Sequence, residues 1–150
     1  MAIEAPNMIE MDFEVLNENY SRYLVQDGTI LKVKIVVKKI LRTAEITPQG
    51  YPAGMGFDSA NAVAAIVPPN LKRRPSKEPW NPNRDVGKEM KFEPQQEEWQ
   101  SYMTTEGFKV LVKPVVTKVV RYDKFNQYSE PVYAASVQAI TNIEKLSSTA

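Results

Sequence analysis

Residues 11–42, MDFEVLNENYSRYLVQDGTILKVKIVVKKILR, are answered without a gap by residues 90–121, MKFEPQQEEWQSYMTTEGFKVLVKPVVTKVVR. At this constant offset of 79 (11 to 90, 42 to 121), twelve of thirty-two positions are identical, among them Phe13/Phe92, Glu18/Glu97, Tyr23/Tyr102, Gly28/Gly107 and Lys39/Lys118. Unrelated segments of ordinary composition would share about two. Substitutions such as Tyr20/Trp99, Asp27/Glu106 and Ile40/Val119 keep their chemistry. The chain therefore reads as an internal duplication, which decides the architecture before any single element is assigned.

Within the repeat, TILKVKIVVKKILRT is the strongest strand signal. Leu31, Val33, Ile35 and Val37 alternate with Lys32, Lys34 and Lys38, the period of a half-buried strand. Val36 and Ile40 break the alternation, which predicts a bulge or a change of buried face near Val36 and Val37, and at Val115 and Val116 in the second copy. So long an extended run must bend, as around a barrel or a sandwich corner. Pro114 stands where the first copy has Ile35 and, lacking an N–H, supports an edge or bulge position. Ahead of the strand, Asp27-Gly28 and Glu106-Gly107 predict a tight hairpin turn. Further upstream, Pro94 followed by QQEEWQSY predicts a short helical turn, because proline suits a first turn and acidic residues its dipole. The spacing of Tyr20 to Tyr23 and of Trp99 to Tyr102 then puts each pair on one helical face.

After each long strand comes a loop, TAEITPQGYP or YDKFNQYSEP. Beyond it, Ala62–Val67 and Ser136–Thr141 align at an offset of 74 (62 to 136) and read as strands. This divides the chain into a first repeat, 11–67, a proline-rich basic connector, 68–89, and a second repeat, 90–145. The expected fold is all-β or β-rich α+β: two related lobes of strongly bent antiparallel strands, barrel-like or sandwich-like, each with a short helical turn, packed about an approximate twofold. The connector is long for a loop, and such loops are often functional or mobile. The termini, MAIEAPNMIE and LSSTA, read as loosely ordered tails.

Composition narrows the function classes. The 150 residues hold no cysteine and no histidine, which removes thiolate chemistry, histidine-dependent triads and ordinary catalytic zinc sites. No cofactor and no metal is expected. Nineteen basic residues against eighteen acidic leave a net charge of +1, so attraction to a polyanion must come from local asymmetry. No apolar run approaches the roughly 20 residues that span a bilayer, and the opening residues lack a signal-peptide pattern. The expectation is a cytoplasmic protein without a membrane partner.

Two sets of cations are candidates for polyanion binding. Lys72, Arg73, Arg74, Lys77 and Arg84 cluster in the connector around Trp80, a base-stacking platform or else a side chain packed over the lobes. Lys32, Lys34, Lys38 and Arg42, with Lys113 and Arg121 in the second copy, form the polar side of the long strands; such a row tracks a phosphate backbone or simply faces solvent. Lys39 and Lys118 fall on the more apolar parity and are expected to snorkel or to pair with Glu18 and Glu97, or with Glu14 and Glu93. The repeated glutamates are the one patterned carboxylate set, read as structural before catalytic. The leading functional expectation is a non-enzymatic binding or assembly module that uses exposed strand edges and loops, with a protein partner or further copies of itself. A nucleic-acid-binding barrel is the alternative, and an enzyme built on the glutamates comes third.

Overall fold

The computed structural model describes residues 8–146. The expected loose tails at residues 1–7 and 147–150 lie outside the described residues, whereas Met8–Met11 forms a strand, β1. Nine further strands follow: β2 (Phe13–Asn17), β3 (Ser21–Val25), β4 (Ile30–Thr43), β5 (Met55–Ile66), β6 (Lys88–Met90), β7 (Phe92–Gln96), β8 (Gln100–Thr104), β9 (Phe108–Phe125) and β10 (Pro131–Lys145). A 3-10 turn at Pro69–Leu71 is the one helical element among the described residues. The class is all-β, in two antiparallel sheets that do not close into a barrel.

The expected helical turns are absent, and the segments that suggested them are strands. Pro94 lies in β7 opposite Tyr23 of β3, and β7 is the outermost strand of its sheet. Proline is tolerated there because one side of an edge strand needs no N–H donor. The local signal of proline followed by acids is the same for a helix start and for an edge strand; only the distant partner separates them.

That partner comes from the other half of the chain. One sheet runs β7-β3-β4-β5, with β1 also on β4; the other runs β2-β8-β9-β10, with β6 also on β9. Thus β2 of the N-terminal half pairs with β8 of the C-terminal half, and β7 of the C-terminal half pairs with β3 of the N-terminal half. Core packing follows the same exchange. Met11, Ile35, Val37 and Ile40 pack with Tyr102, Phe108, Val110 and Val112, while Tyr23, Val25, Leu31 and Val33 pack with Met90, Val116 and Val119. Most members of one cluster map onto the other at the offset of 79 (11 to 90, 40 to 119, 23 to 102). Edge-to-face aromatic pairs repeat the pattern, Phe13 on Tyr102 at 5.7 Å and Phe92 on Tyr23 at 6.1 Å.

The hairpin turns form where the glycines stand. Gly28 and Gly107 have φ of 92° and 85°, and their amides donate to the carbonyls of Val25 and Thr104. Glycine in the left-handed region suits a three-residue hairpin loop. The bulges are also present, one or two residues beyond the valine pairs. The register of β4 with β5 jumps from Val37↔Ser59 to Lys39↔Asp58, leaving Lys38 unpaired. The register of β9 with β10 jumps from Val116↔Val137 to Lys118↔Ser136, leaving Thr117 unpaired. Each bulge flips the buried face, so burial moves from Val37 to Ile40 and from Val116 to Val119. Lys39 and Lys118 are therefore exposed rather than inward-facing. Lys39 pairs with Glu10 at 3.5 Å, not with Glu14 or Glu18 as expected.

The connector is docked, not free. The Arg73 amide donates to the Ser129 carbonyl, and Ser76 exchanges hydrogen bonds with Phe125 through its amide and its hydroxyl. Gly87 passes so close to β9 that a Cβ there would collide with Val120 and Tyr122.

Candidate binding surfaces

The exchanged strands place two buried tyrosines at equivalent junctions. Tyr23 Oη donates to Glu97 at 2.8 Å, and Tyr102 Oη donates to Glu18 at 2.9 Å. Burial, followed by the glutamate acceptor, pushes the Tyr23 phenol up to about 12 and raises that of Tyr102 as well. Of the repeated glutamates, Glu18 and Glu97 are thus acceptors for buried tyrosines. A second equivalent pair joins the hairpin turns to the far ends of the long strands: Arg121 to Asp27 at 2.9 Å and Arg42 to Glu106 at 2.7 Å. Asp27 also accepts from Tyr133 at 2.6 Å. Burial alone would raise the Asp27 carboxyl, but hydrogen bonds from Tyr133, Thr29 and Arg121 outweigh it and hold the group below its ordinary value. Burial and the Asp27 acceptor push Tyr133 up to about 12.

The candidate cations do not converge on one site. Lys32 and Lys34 both sit over the Tyr20 ring, 4.8 Å from its centroid, and Lys34 lies 3.6 Å from Glu18. Lys113 sits over Trp99 at 5.2 Å on the other sheet. Lys38 pairs with Asp58 at 3.5 Å, and Arg42 and Arg121 are held as above. In the connector, Arg73 donates to the carbonyls of Asn70 and Lys72, and Arg84 pairs with Glu78 and Asp85. Lys72, Arg74 and Lys77 are exposed. Trp80 packs on Tyr122 with ring centroids 5.3 Å apart, its indole N–H buried without a partner. Arg73, Lys88 and Arg121 share a groove of about 670 Å³ with Tyr122 and Phe125. Among the described residues no group of three or more acidic, cysteine or histidine side chains is placed to hold a metal ion. No helix there is long and apolar enough to cross a membrane.

The other surface is made of backbone. Four short strands, β1, β2, β6 and β7, have three to five residues each; of the outermost two, β2 carries Glu14 and β7 carries Glu93 and Pro94. Short length, charge and proline are the usual protections of a sheet edge. In contrast, β5 and β10 have 12 and 15 residues, and each pairs on one side only, with β4 and β9 respectively. No charge occurs from Ser59 to Ile66 or from Pro131 to Ile143. The bulged residues, Lys38 and Thr117, lie on the inner strands, so neither edge is broken by a bulge of its own. Residues 58–61 and 138–142 are exposed on both faces. Val63, Ile66 and Ile140 are 41%, 48% and 47% exposed.

The two edges lie side by side and run in opposite directions. Val63, Ala64 and Ala65 of β5 line a groove of about 420 Å³ with Pro131, Val132 and Tyr133 of β10. At the other end Gly50, just ahead of β5, lies against Lys145 at the end of β10. In the sequence these edges are marked by the uncharged runs AASVQAITNI and SANAVAAI. Comparison with protein-family models, with curated proteins and with solved structures finds no match.

Proposed function

We propose that the chain is a non-enzymatic binding and assembly module whose recognition surface is the pair of long strand edges, β5 and β10. The observation that carries this reading is the contrast between edges. The outermost β2 and β7 are short and guarded by charge or proline, whereas β5 and β10 are long, uncharged over most of their length and exposed on both faces at residues 58–61 and 138–142. Such an edge presents a row of unpaired amides and carbonyls and takes up another strand by main-chain hydrogen bonding. Hydrogen exchange tests it. In dilute protein of single-chain mass, the outward amides of residues 59–65 and 136–142 exchange rapidly. Slow exchange at that mass means that the edges are closed within the chain and removes the reading.

A second reading, a nucleic-acid surface, is favoured by the groove that brings Arg73 and Lys88 beside Tyr122 and Phe125. It ranks below the first because Lys34, Lys38, Arg42 and Arg121 are already answered by carboxylates. Binding of single-stranded DNA that weakens steeply with salt and is lost with Arg73→Ala plus Lys88→Ala would reverse the order.

A further inference from the structure

We infer that the outer face of the sheet β7-β3-β4-β5 binds the phosphate backbone of a single-stranded nucleic acid, with Arg22 and Lys32 as the anion contacts. This goes beyond the edge-recognition reading and does not rest on it. The surface lies on the other sheet from Lys88 and Arg121 of the basic groove.

The strands of this sheet carry six cations, Arg22 on β3 and Lys32, Lys34, Lys38, Lys39 and Arg42 on β4. Four are answered: Lys34 by Glu18, Lys38 by Asp58, Lys39 by Glu10 and Arg42 by Glu106. Among the described residues Arg22 and Lys32 have no carboxylate within ion-pairing distance. They are partners directly across β3 and β4. Their neighbours Ser21, Tyr23, Leu31 and Val33 are buried, so both cations leave the sheet on its outer face. Like charges set opposite each other destabilise a sheet, and the pair therefore does not serve the fold. At the offset of 79 the same junction is held by Ser101 opposite Leu111 (22 to 101, 32 to 111), with no charge at all.

The surroundings suit a strand of phosphates. Tyr20 holds the ammonium groups of Lys32 and Lys34, each 4.8 Å from its ring centroid. A ring face orders an ammonium group without neutralising it, so the charge is in place before a ligand arrives and less ordering is left to binding. On β5 the residues opposite Lys32 and Lys34 are Ala64 and Ala62, which leave a low shelf beside the cations. Further along the same face Ile66, opposite Ile30 and 48% exposed, offers apolar surface to a base. The planar fork of Arg22 can take a phosphate through two hydrogen bonds. Cations beside an aromatic ring on an open antiparallel sheet are a recurrent seat for single strands, whose bases lie on the sheet while basic side chains follow the backbone.

The test is fluorescence anisotropy of labelled oligo-dT and oligo-U across a salt series from about 50 to 200 mM, with circular dichroism of every variant. The wild-type chain is expected to bind, the logarithm of its association constant falling linearly with the logarithm of salt. The deciding variant is Arg22→Ser with Lys32→Leu, which installs the uncharged pair that stands at the offset of 79. Loss of two phosphate contacts lowers the salt slope by about 1.4 and weakens binding roughly tenfold or more at the low-salt end. Arg22→Gln with Lys32→Gln has the same effect, and takes its place if the first variant loses the wild-type spectrum. Lys109→Ala with Lys118→Ala removes the same charge from β9 and leaves the slope as it was. No binding at the lowest salt overturns the inference, as does a slope that the Arg22 and Lys32 variants do not change. Binding lost only with Arg73→Ala plus Lys88→Ala moves the strand to the basic groove and also overturns it. Binding to phosphatidylserine vesicles and to neither oligonucleotide, lost with the deciding variant, assigns the face to a lipid surface and overturns the nucleic acid. The strand edges are judged separately, by hydrogen exchange.

Discussion

Gln100 and Ser21 correspond at the offset of 79 (21 to 100), yet only the glutamine reaches across to a strand backbone. It accepts from the Ile35 amide at 2.9 Å and donates to the Ile35 carbonyl and to Tyr102. Ile35 lies where β4 has passed the end of β3 and not yet met β1, so its inward amide has no strand partner. At the offset of 79 Pro114 takes that position (35 to 114) and has no amide to satisfy. Serine suffices there, and Tyr23 donates to the Pro114 carbonyl at 3.2 Å. Gln100→Ala is therefore expected to cost about 1–3 kcal/mol, the range for stranding a buried polar group, read as a lower urea midpoint with an unchanged slope. Ser21→Ala, which removes an acceptor for the part-buried Glu98 amide, costs less. The titrating groups fix the pH limits. Asp27 has a depressed folded value, so its contribution is present above the ordinary carboxyl value of 3.8 and is lost as pH falls through the depressed one. Asp27→Asn lowers stability at neutral pH and flattens that acid limb. Tyr23 and Tyr133 have raised values, so their contribution is whole below 10.0 and is lost as pH rises towards about 12. Unfolding midpoints measured between those limits should fall steeply, and less steeply in Tyr133→Phe.

At the level of elements, the period-2 pattern of residues 31–37 placed β4 and its buried face, and the glycine pairs placed the hairpins, because both signals are local. The bulges were legible as broken alternation, although the extra residues are Lys38 and Thr117 rather than the valines beside them. Burial on both sides of a bulge looks the same in sequence, so the position of the unpaired residue emerges only from the register. Residues 94–102, where a helical turn is expected, divide between β7 and β8: β7 finds its partner in β3, about seventy residues upstream, and β8 lies between its hairpin neighbour β9 and the distant β2. Binding features were legible as residue types and illegible as places: an edge is defined by the neighbour it lacks. Gly107→Ala tests the turn assignment. A Cβ there meets open space but must adopt φ of 85°, so the cost is the backbone penalty alone, about 1–2 kcal/mol, measured by chemical denaturation. Gly28→Ala adds a contact at 3.4 Å from Pro68 and should cost at least as much. Gly87→Ala forces the connector away from Val120 and Tyr122; in a Trp99→Phe background, the Trp80 fluorescence should shift to the red.

On the scale of the whole molecule, the exchange of β2 and β7 makes the two halves of the chain mutually dependent. Every sheet and both core clusters draw on residues from either side of the connector. Limited trypsin digestion at the exposed Lys72 or Lys77 should therefore give two fragments that still co-elute, separating only in denaturant. Separate elution under native conditions would contradict the exchanged pairing. The same exchange has a consequence for synthesis. As the chain leaves the ribosome, β3 and β4 can close their hairpin at once, but β2 has no neighbour until Gln100–Thr104 has been made, and β3 lacks its outer neighbour until Phe92–Gln96 appears. The nascent first half must wait with an unfinished sheet through the whole translation of the connector, so the second half arrives as a template-completing segment rather than as an independent folding unit.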